Sequence, residues 1–191
     1  MQKDTFRAFF AIDLSRGAKK TIALWIRALR AKGRLKEWQI KWVRPENLHL
    51  TLCFLGSITN EQYLDIDKKV REAISGLPQF SFKLTGLKLF PAVSKPRVLT
   101  LAFEPLAAVK EVARIIGREV ATFGVRLEKR AFKPHVTLGF ISGLGDDETL
   151  RKITPLKCGV LKVTTIKLFK SDAHPGGSVY TPIAIYKLNL S

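Results

Sequence analysis

The pattern of apolar and polar positions divides the chain into a series of strands and helices. Residues 5–14 (TFRAFFAIDL) are a dense run of aromatic and branched side chains, which predicts a buried first strand. Ser15 is a good helix N-cap. The stretch from there to about residue 32 carries Ile22, Ile26 and Leu29 on one stripe, with Trp25 beside it and Gly33 at its end. Residues 36–44 hold Trp38, Ile40 and Trp42 and read as a short strand or extended lead-in. Pro45 then turns the chain into a strand that reaches about residue 55, closed by Gly56 and Ser57. Thr59 or Asn60 is expected to cap a second helix to about Ser75, with Val70 and Ile74 as its apolar pair. Residues 76–78 break it, and residues 80–89 alternate as a strand bent at Gly86. A loop (90–96) leads to another strand, 97–104. Pro105 opens a third helix to about Phe123, striped by Val109, Val112, Ile116 and Val120. Residues 135–141 form the next strand and 147–153 a short helix. Residues 157–169 and 179–188 are the last strands, joined as a hairpin through 171–178.

Two of these strands carry the same polar punctuation. Asn47-Leu48-His49-Leu50-Thr51-Leu52 and Lys133-Pro134-His135-Val136-Thr137-Leu138 both read His-x-Thr-Leu, and their histidines lie 135 − 49 = 86 residues apart. Successive side chains on a strand point to opposite faces. His49 and Thr51 therefore oppose Leu48, Leu50 and Leu52, and His135 and Thr137 oppose Val136 and Leu138. The chain has 3 histidines, so two of them share this context. The order strand, helix, motif strand over residues 5–55 recurs over 97–141. That repeat predicts an α+β fold: one bilobal domain spanning 1–191, with two similar lobes facing across a pseudo-twofold axis around a groove. The motif strands would line that groove with both imidazoles pointing into it.

Composition adds a partner. The chain of 191 residues is 46% hydrophobic, enough for a real core, and no apolar run approaches a membrane span or a signal-peptide core. Cys53 and Cys158 make no disulfide framework, which suits a reducing cytoplasm. Lys and Arg number 33 against 16 Asp and Glu, a net charge of +17. Such a balance points to a polyanion, nucleic acid first, with a generally basic solvated surface as the alternative.

Two imidazoles facing one substrate suit in-line displacement at phosphorus. An unperturbed histidine titrates near 6.5, so one ring can be free base while the other is protonated. The first takes a proton from attacking water and the second protonates the departing oxygen. The threonine hydroxyls can donate to nonbridging phosphate oxygens, where charge builds. This arrangement needs no metal and no cofactor. The sequence contains no G-x-x-x-x-G-K-[ST] loop, H-E-x-x-H, C-x-x-C or G-x-S-x-G motif. His49, His135 and His174 could together ligate zinc, but no neighbouring carboxylate pattern supports that.

The segments NLHLTLCFLG, PRVLTLAFEP and FKPHVTLGF resemble the two-histidine (2H) phosphoesterases. So do the opening FFAIDLS, the GLKLFP loop entry and the closing LFKSDAHPGGSVYTPI. The resemblance is closest to the RNA 2',3'-cyclic phosphodiesterases, also called 2'-5' RNA ligases, and covers nearly the whole chain. It implies two pseudo-symmetric lobes of antiparallel sheet with outer helices around a central groove, and metal-independent opening of a terminal 2',3'-cyclic phosphate to a 2'-phosphomonoester. His49 is implied as proton donor to the 3'-oxygen, His135 as the base on water, and Thr51 and Thr137 as phosphate binders. The reverse reaction, with a 5'-hydroxyl in place of water, makes a 2'-5' linkage. The expected partner is RNA with cyclic or 2'-5' linked ends, tRNA fragments among them, and the expected state is a cytoplasmic monomer.

Two alternatives stay open: a 2H enzyme for 2'-5' linked oligonucleotides or small cyclic nucleotides, and a basic RNA-binding module with inert histidines. Many relatives carry Arg where this chain has Phe140, the counterpart of Phe54. Strand parity puts both phenylalanines opposite their histidines, in the core, unless a bulge intervenes. Arg97, Arg130 and Lys133 are candidate phosphate contacts, with Arg44 a further one. Phe9, Phe10, Phe90 and Tyr180 are either base-stacking groups or core. Cys53 shares parity with His49 and reads as a small filler bordering the groove.

Overall fold

The computed structural model describes residues 4–33, 35–91, 97–126, 132–143, 145, 147–153, 155–175 and 177–190. The first half of the chain folds as β1 (Thr5–Asp13), α1 (Arg16–Ala31), β2 (Ile40–Trp42), a 3-10 turn (Pro45–Asn47), β3 (His49–Thr59), α2 (Asn60–Ile74) and β4 (Phe80–Phe90). Then come β5 (Val98–Glu104), α3 (Ala107–Ala121), β6 (Val136–Ile141), α4 (Asp147–Arg151), β7 (Val160–Val163), β8 (Thr165–His174) and β9 (Gly177–Lys187). Local chemistry sets the helix starts. The Ser15 hydroxyl accepts from the Ala18 N–H at 3.2 Å. Thr59 and Gln62 form a reciprocal capping box, with bonds of 3.1 and 3.2 Å.

The strands form one antiparallel sheet in the order β7-β4-β5-β6-β3-β1-β8-β9, with β2 also on β6. Read outward from the middle, β3-β1-β8-β9 mirrors β6-β5-β4-β7. Among the described residues, β3 and β6 pair only at Leu50 opposite Val136. Both residues are fully buried, and each contributes about 1.5–3 kcal/mol by burial. The stripes of α1, α2 and α3 (Ile22, Ile26, Ile66, Val70, Val112 and Ile116 among them) share one core with Leu50, Leu52, Val136 and Leu138. The helices thus cover one face of the sheet and leave the other to the histidines. The expected α+β architecture with paired half-sheets and outer helices is the observed one.

Several boundaries differ from expectation; the last hairpin, for one, carries its pairing on through Ser171–His174 and Gly177–Tyr180. β3 does not stop at residue 55. It runs through Gly56, whose φ of +67° absorbs a bulge at Leu55. The third helix begins at Ala107, after Pro105, with Leu106 as an N-cap that makes no side-chain bond. The run 157–169 is two strands, not one. β7 pairs with β4 at one edge and β8 with β1 near the other. The apolar phase slips between them, from Leu161 and Val163 to Ile166 and Leu168. The Thr164 carbonyl, at the break, accepts from the Leu188 N–H at 2.9 Å.

Candidate active site

The Leu50–Val136 pair organises the site. Because Leu50 and Val136 face each other in antiparallel register, Thr51 flanks His135 and His49 flanks Thr137. The buried pair points into the core and the four flanking side chains point the other way, all partly exposed. Each imidazole is held by the same backbone device. His49 Nδ1 lies 2.6 Å from the Asn47 carbonyl oxygen, and His135 Nδ1 lies 2.7 Å from that of Lys133. A carbonyl can only accept, so each Nδ1 carries hydrogen, and in the neutral ring Nε2 holds the free lone pair. His49 Nε2 lies 3.0 Å from Thr51 Oγ1.

Just after each motif both strands bulge. Thr51 pairs with Ala11 and Cys53 with Phe10, so Leu52 is the extra residue. Thr137 pairs with Thr100 and Gly139 with Leu99, so Leu138 is the extra residue. These are equivalent positions, since 138 − 52 = 86, the same offset as the histidines. Each bulge reverses the parity of the strand residues beyond it. Phe54 and Phe140 consequently leave the core expected of them and are 61% and 56% exposed on the histidine face. Cys53 moves the other way. It packs against the main core beside Phe10, and burial pushes its thiol up to about 12.

The two histidines differ in surroundings. Phe9, Ala11 and Phe169 form a small second core on the open face, with Tyr180 against it. The Phe9 ring lies 4.9 Å from that of His49, and Tyr180 meets His49 edge-on at 5.3 Å. His135 has one ring stacked on it, Phe90, at 4.8 Å and 27°. Burial lowers the His49 pKa below its ordinary value. The Asn47 carbonyl and the Asp13 carboxylate pull it back up, while Lys19 and His135 add to the lowering. Phe10 lies in the main core, whereas Phe9 and Phe90 pack on the imidazoles.

The LigT-like phosphoesterase family profile matches residues 12–100 and 103–180. The chain belongs to this family. It is 29% identical over 188 residues to the RNA 2',3'-cyclic phosphodiesterase of Methanothermobacter thermautotrophicus, covering 95% of this chain and 98% of that one. It is 33% identical over 156 residues to the same-named protein of Aquifex aeolicus, covering 78% and 81%. Among solved structures, apo E. coli LigT superposes with a TM-score of 0.80 at 26% identity, covering 97% of this chain and 99% of that one. E. coli LigT complexed with 3'-AMP superposes at 0.74 and 25% identity, with the same coverage.

Around the His–Thr square of this LigT-like phosphoesterase, the other candidates are dispersed. Arg97 is exposed at the head of β5, its N–H on the Phe90 carbonyl and its carbonyl on the Ile141 N–H. Lys133 is exposed and serves His135 through its backbone. Arg44 is exposed before the 3-10 turn, and His174 is exposed at the β8–β9 turn. Arg130 lies outside the described residues.

Sequence reasoning missed a polar cluster beside His49. Asp13 pairs with His49 across β1 and β3. Its carboxylate takes Lys19 Nζ at 2.6 Å and Lys167 Nζ at 2.6 Å. Lys19 also donates to the Glu46 carbonyl at 2.7 Å. These groups line a cavity of about 140 Å³ that opens on His49 and Tyr180. The only sequence signal was an acid closing an apolar strand, whose register to His49 is a tertiary fact.

Proposed function

We infer that the chain hydrolyses RNA 2',3'-cyclic phosphate ends to 2'-phosphomonoesters, with His49 as proton donor and His135 as proton acceptor. The observation that carries this reading is the square of two imidazoles and two hydroxyls around the Leu50–Val136 pair. Water attacks phosphorus while His135 Nε2 takes its proton. The P–O3' bond breaks, and His49 Nε2–H delivers a proton to the departing 3'-oxygen. Each transfer is typically worth about 10²–10⁴ in rate. With His49 protonated, its Nε2–H donates to Thr51 Oγ1 and frees that hydroxyl's own proton for a phosphate oxygen. Thr137 serves the same phosphate from the other strand. The bound anion favours the imidazolium and offsets the desolvation that lowers the His49 pKa. No metal or nucleotide takes part.

Replacing water by a 5'-hydroxyl yields a 2'-5' linkage by the same proton transfers. The relatives' names and the +17 charge support an RNA substrate, tRNA fragments among the candidates. The chain acts as one bilobal monomer, in the cytoplasm. In support, the two cysteines are free, and among the described residues no helix is long and apolar enough to cross a membrane.

The test is purified protein in EDTA with RNA ending in 2',3'-cyclic phosphate. Conversion to 2'-phosphate by wild type and its loss in His49→Ala and His135→Ala supports the reading. A cyclic end left intact by wild type rejects it. The charge also favours a second reading, a non-catalytic RNA-binding module. That module would bind RNA with a steep salt dependence, equally with or without the cyclic end, and turn nothing over.

A further inference from the structure

The geometry points to Phe54 and Phe140 as a matched pair of nucleobase platforms, one on each motif strand, that seat bases of an RNA strand to either side of the reacting phosphate. This rests on the phosphodiesterase reading of the site and adds to it where the bases go. Both rings are large, apolar and mostly exposed, at 61% and 56%. Both are placed there by the same device, the bulges at Leu52 and Leu138, without which each would lie in the core. Phe9 already packs against the His49 ring and Phe90 stacks on that of His135. Phe54 meets the Phe9 ring at 5.9 Å and stays mostly exposed. Beside Phe140, Lys41 is its exposed cross-strand neighbour on β2, a cation placed for the sugar-phosphate backbone.

The topology gives the pair a direction. β3 and β6 run antiparallel from their meeting point. Phe54 lies 54 − 50 = 4 residues beyond Leu50, and Phe140 lies 140 − 136 = 4 residues beyond Val136, on the opposite side. Four strand residues span about 13 Å, so the platforms stand about 26 Å apart along the strands, a distance covered by an extended stretch of several single-stranded nucleotides. A cyclic phosphate end has a nucleoside on one side only. Two platforms fit a phosphodiester with RNA on each side, which is the 2'-5' joined species or a cyclic end with a 5'-hydroxyl strand docked beside it. Stacking on an aromatic ring is tolerant of base identity, so the groove reads the presence of bases rather than their order.

The test compares KM for three substrates: an oligoribonucleotide with a central 2'-5' linkage, an oligoribonucleotide ending in 2',3'-cyclic phosphate and baseless ribose 2',3'-cyclic phosphate. On the 2'-5' linked oligonucleotide, Phe54→Ala and Phe140→Ala each raise KM roughly 5- to 100-fold, with kcat little changed. Phe→Trp at either site restores it. On the cyclic-ended oligonucleotide one of the two alanine variants acts, and on the baseless ribose neither does. Unchanged KM throughout, or equal losses with and without a base, overturns the proposal. If wild type turns over none of these substrates, the phosphodiesterase reading fails by itself. The platforms are then judged by binding. Addition of short single-stranded RNA must quench the added indole in Phe54→Trp and Phe140→Trp, relative to wild type, and absence of quenching rejects them.

Discussion

The His49 side and the His135 side of the cleft share a motif, a backbone tether and a bulge, yet they are not alike. His49 sits against Phe9 and Tyr180 beside a carboxylate shared by two lysines. His135 has Phe90 on one face and solvent within reach. The duplicated element supplies reach and tautomer to both rings. What surrounds each ring is set by side chains outside the motif: Phe9, Asp13, Lys19, Lys167 and Tyr180 gather around His49, and Phe90 lies on His135. The comparison teaches that two copies of one motif come to differ through asymmetric neighbours.

The comparison breaks most severely at the rings themselves. His49→Ala and His135→Ala should each cut kcat by about 10²–10⁴, and the double variant should lose little more than the worse single one. Single-turnover rates on cyclic-phosphate RNA measure both. Next come the hydroxyls. Thr51→Val and Thr137→Val each remove one proposed phosphate donor, and an oxyanion donor is typically worth about 10²–10³ in kcat. A much smaller loss for Thr137 would make the phosphate-binding duty one-sided.

Stability tests the hinge between the halves. Leu50→Ala leaves a cavity where β3 pairs with β6 and should cost about 2–5 kcal/mol, read as a lower denaturant midpoint. The smallest effect concerns charge. The alkaline limb of kcat/KM reports the free enzyme's acid. Because burial lowers the His49 pKa, that limb should fall below a histidine's ordinary 6.5. Asp13 favours the imidazolium, so Asp13→Asn should move the limb lower still. Lys19 opposes the imidazolium, so Lys19→Met should move it up. Opposite shifts from these two variants assign the limb to His49, and no shift from either removes it from the acid role.

Much of this was legible in residue order. Alternation placed His49 with Thr51 and His135 with Thr137, because strand periodicity is local. The Ser15 cap, the apolar stripes of α1 to α3 and the bend at Gly86 were likewise readable, since each depends on a few neighbouring residues. The bulges were not. A bulge exists only relative to a partner strand, and Leu52 and Leu138 look like ordinary core leucines until Ala11, Phe10, Leu99 and Thr100 lie beside them. The fates of Cys53, Phe54 and Phe140 are consequences of that pairing. So is the Asp13–Lys19–Lys167 cluster, whose members lie 154 positions apart at the extremes. By itself the sequence determined which side chains share a face of each strand, because that is a property of the extended backbone. Tertiary structure decided which faces meet, where parity reverses and which charges neighbour each imidazole, because register between distant strands is settled only by packing the whole sheet on its helices.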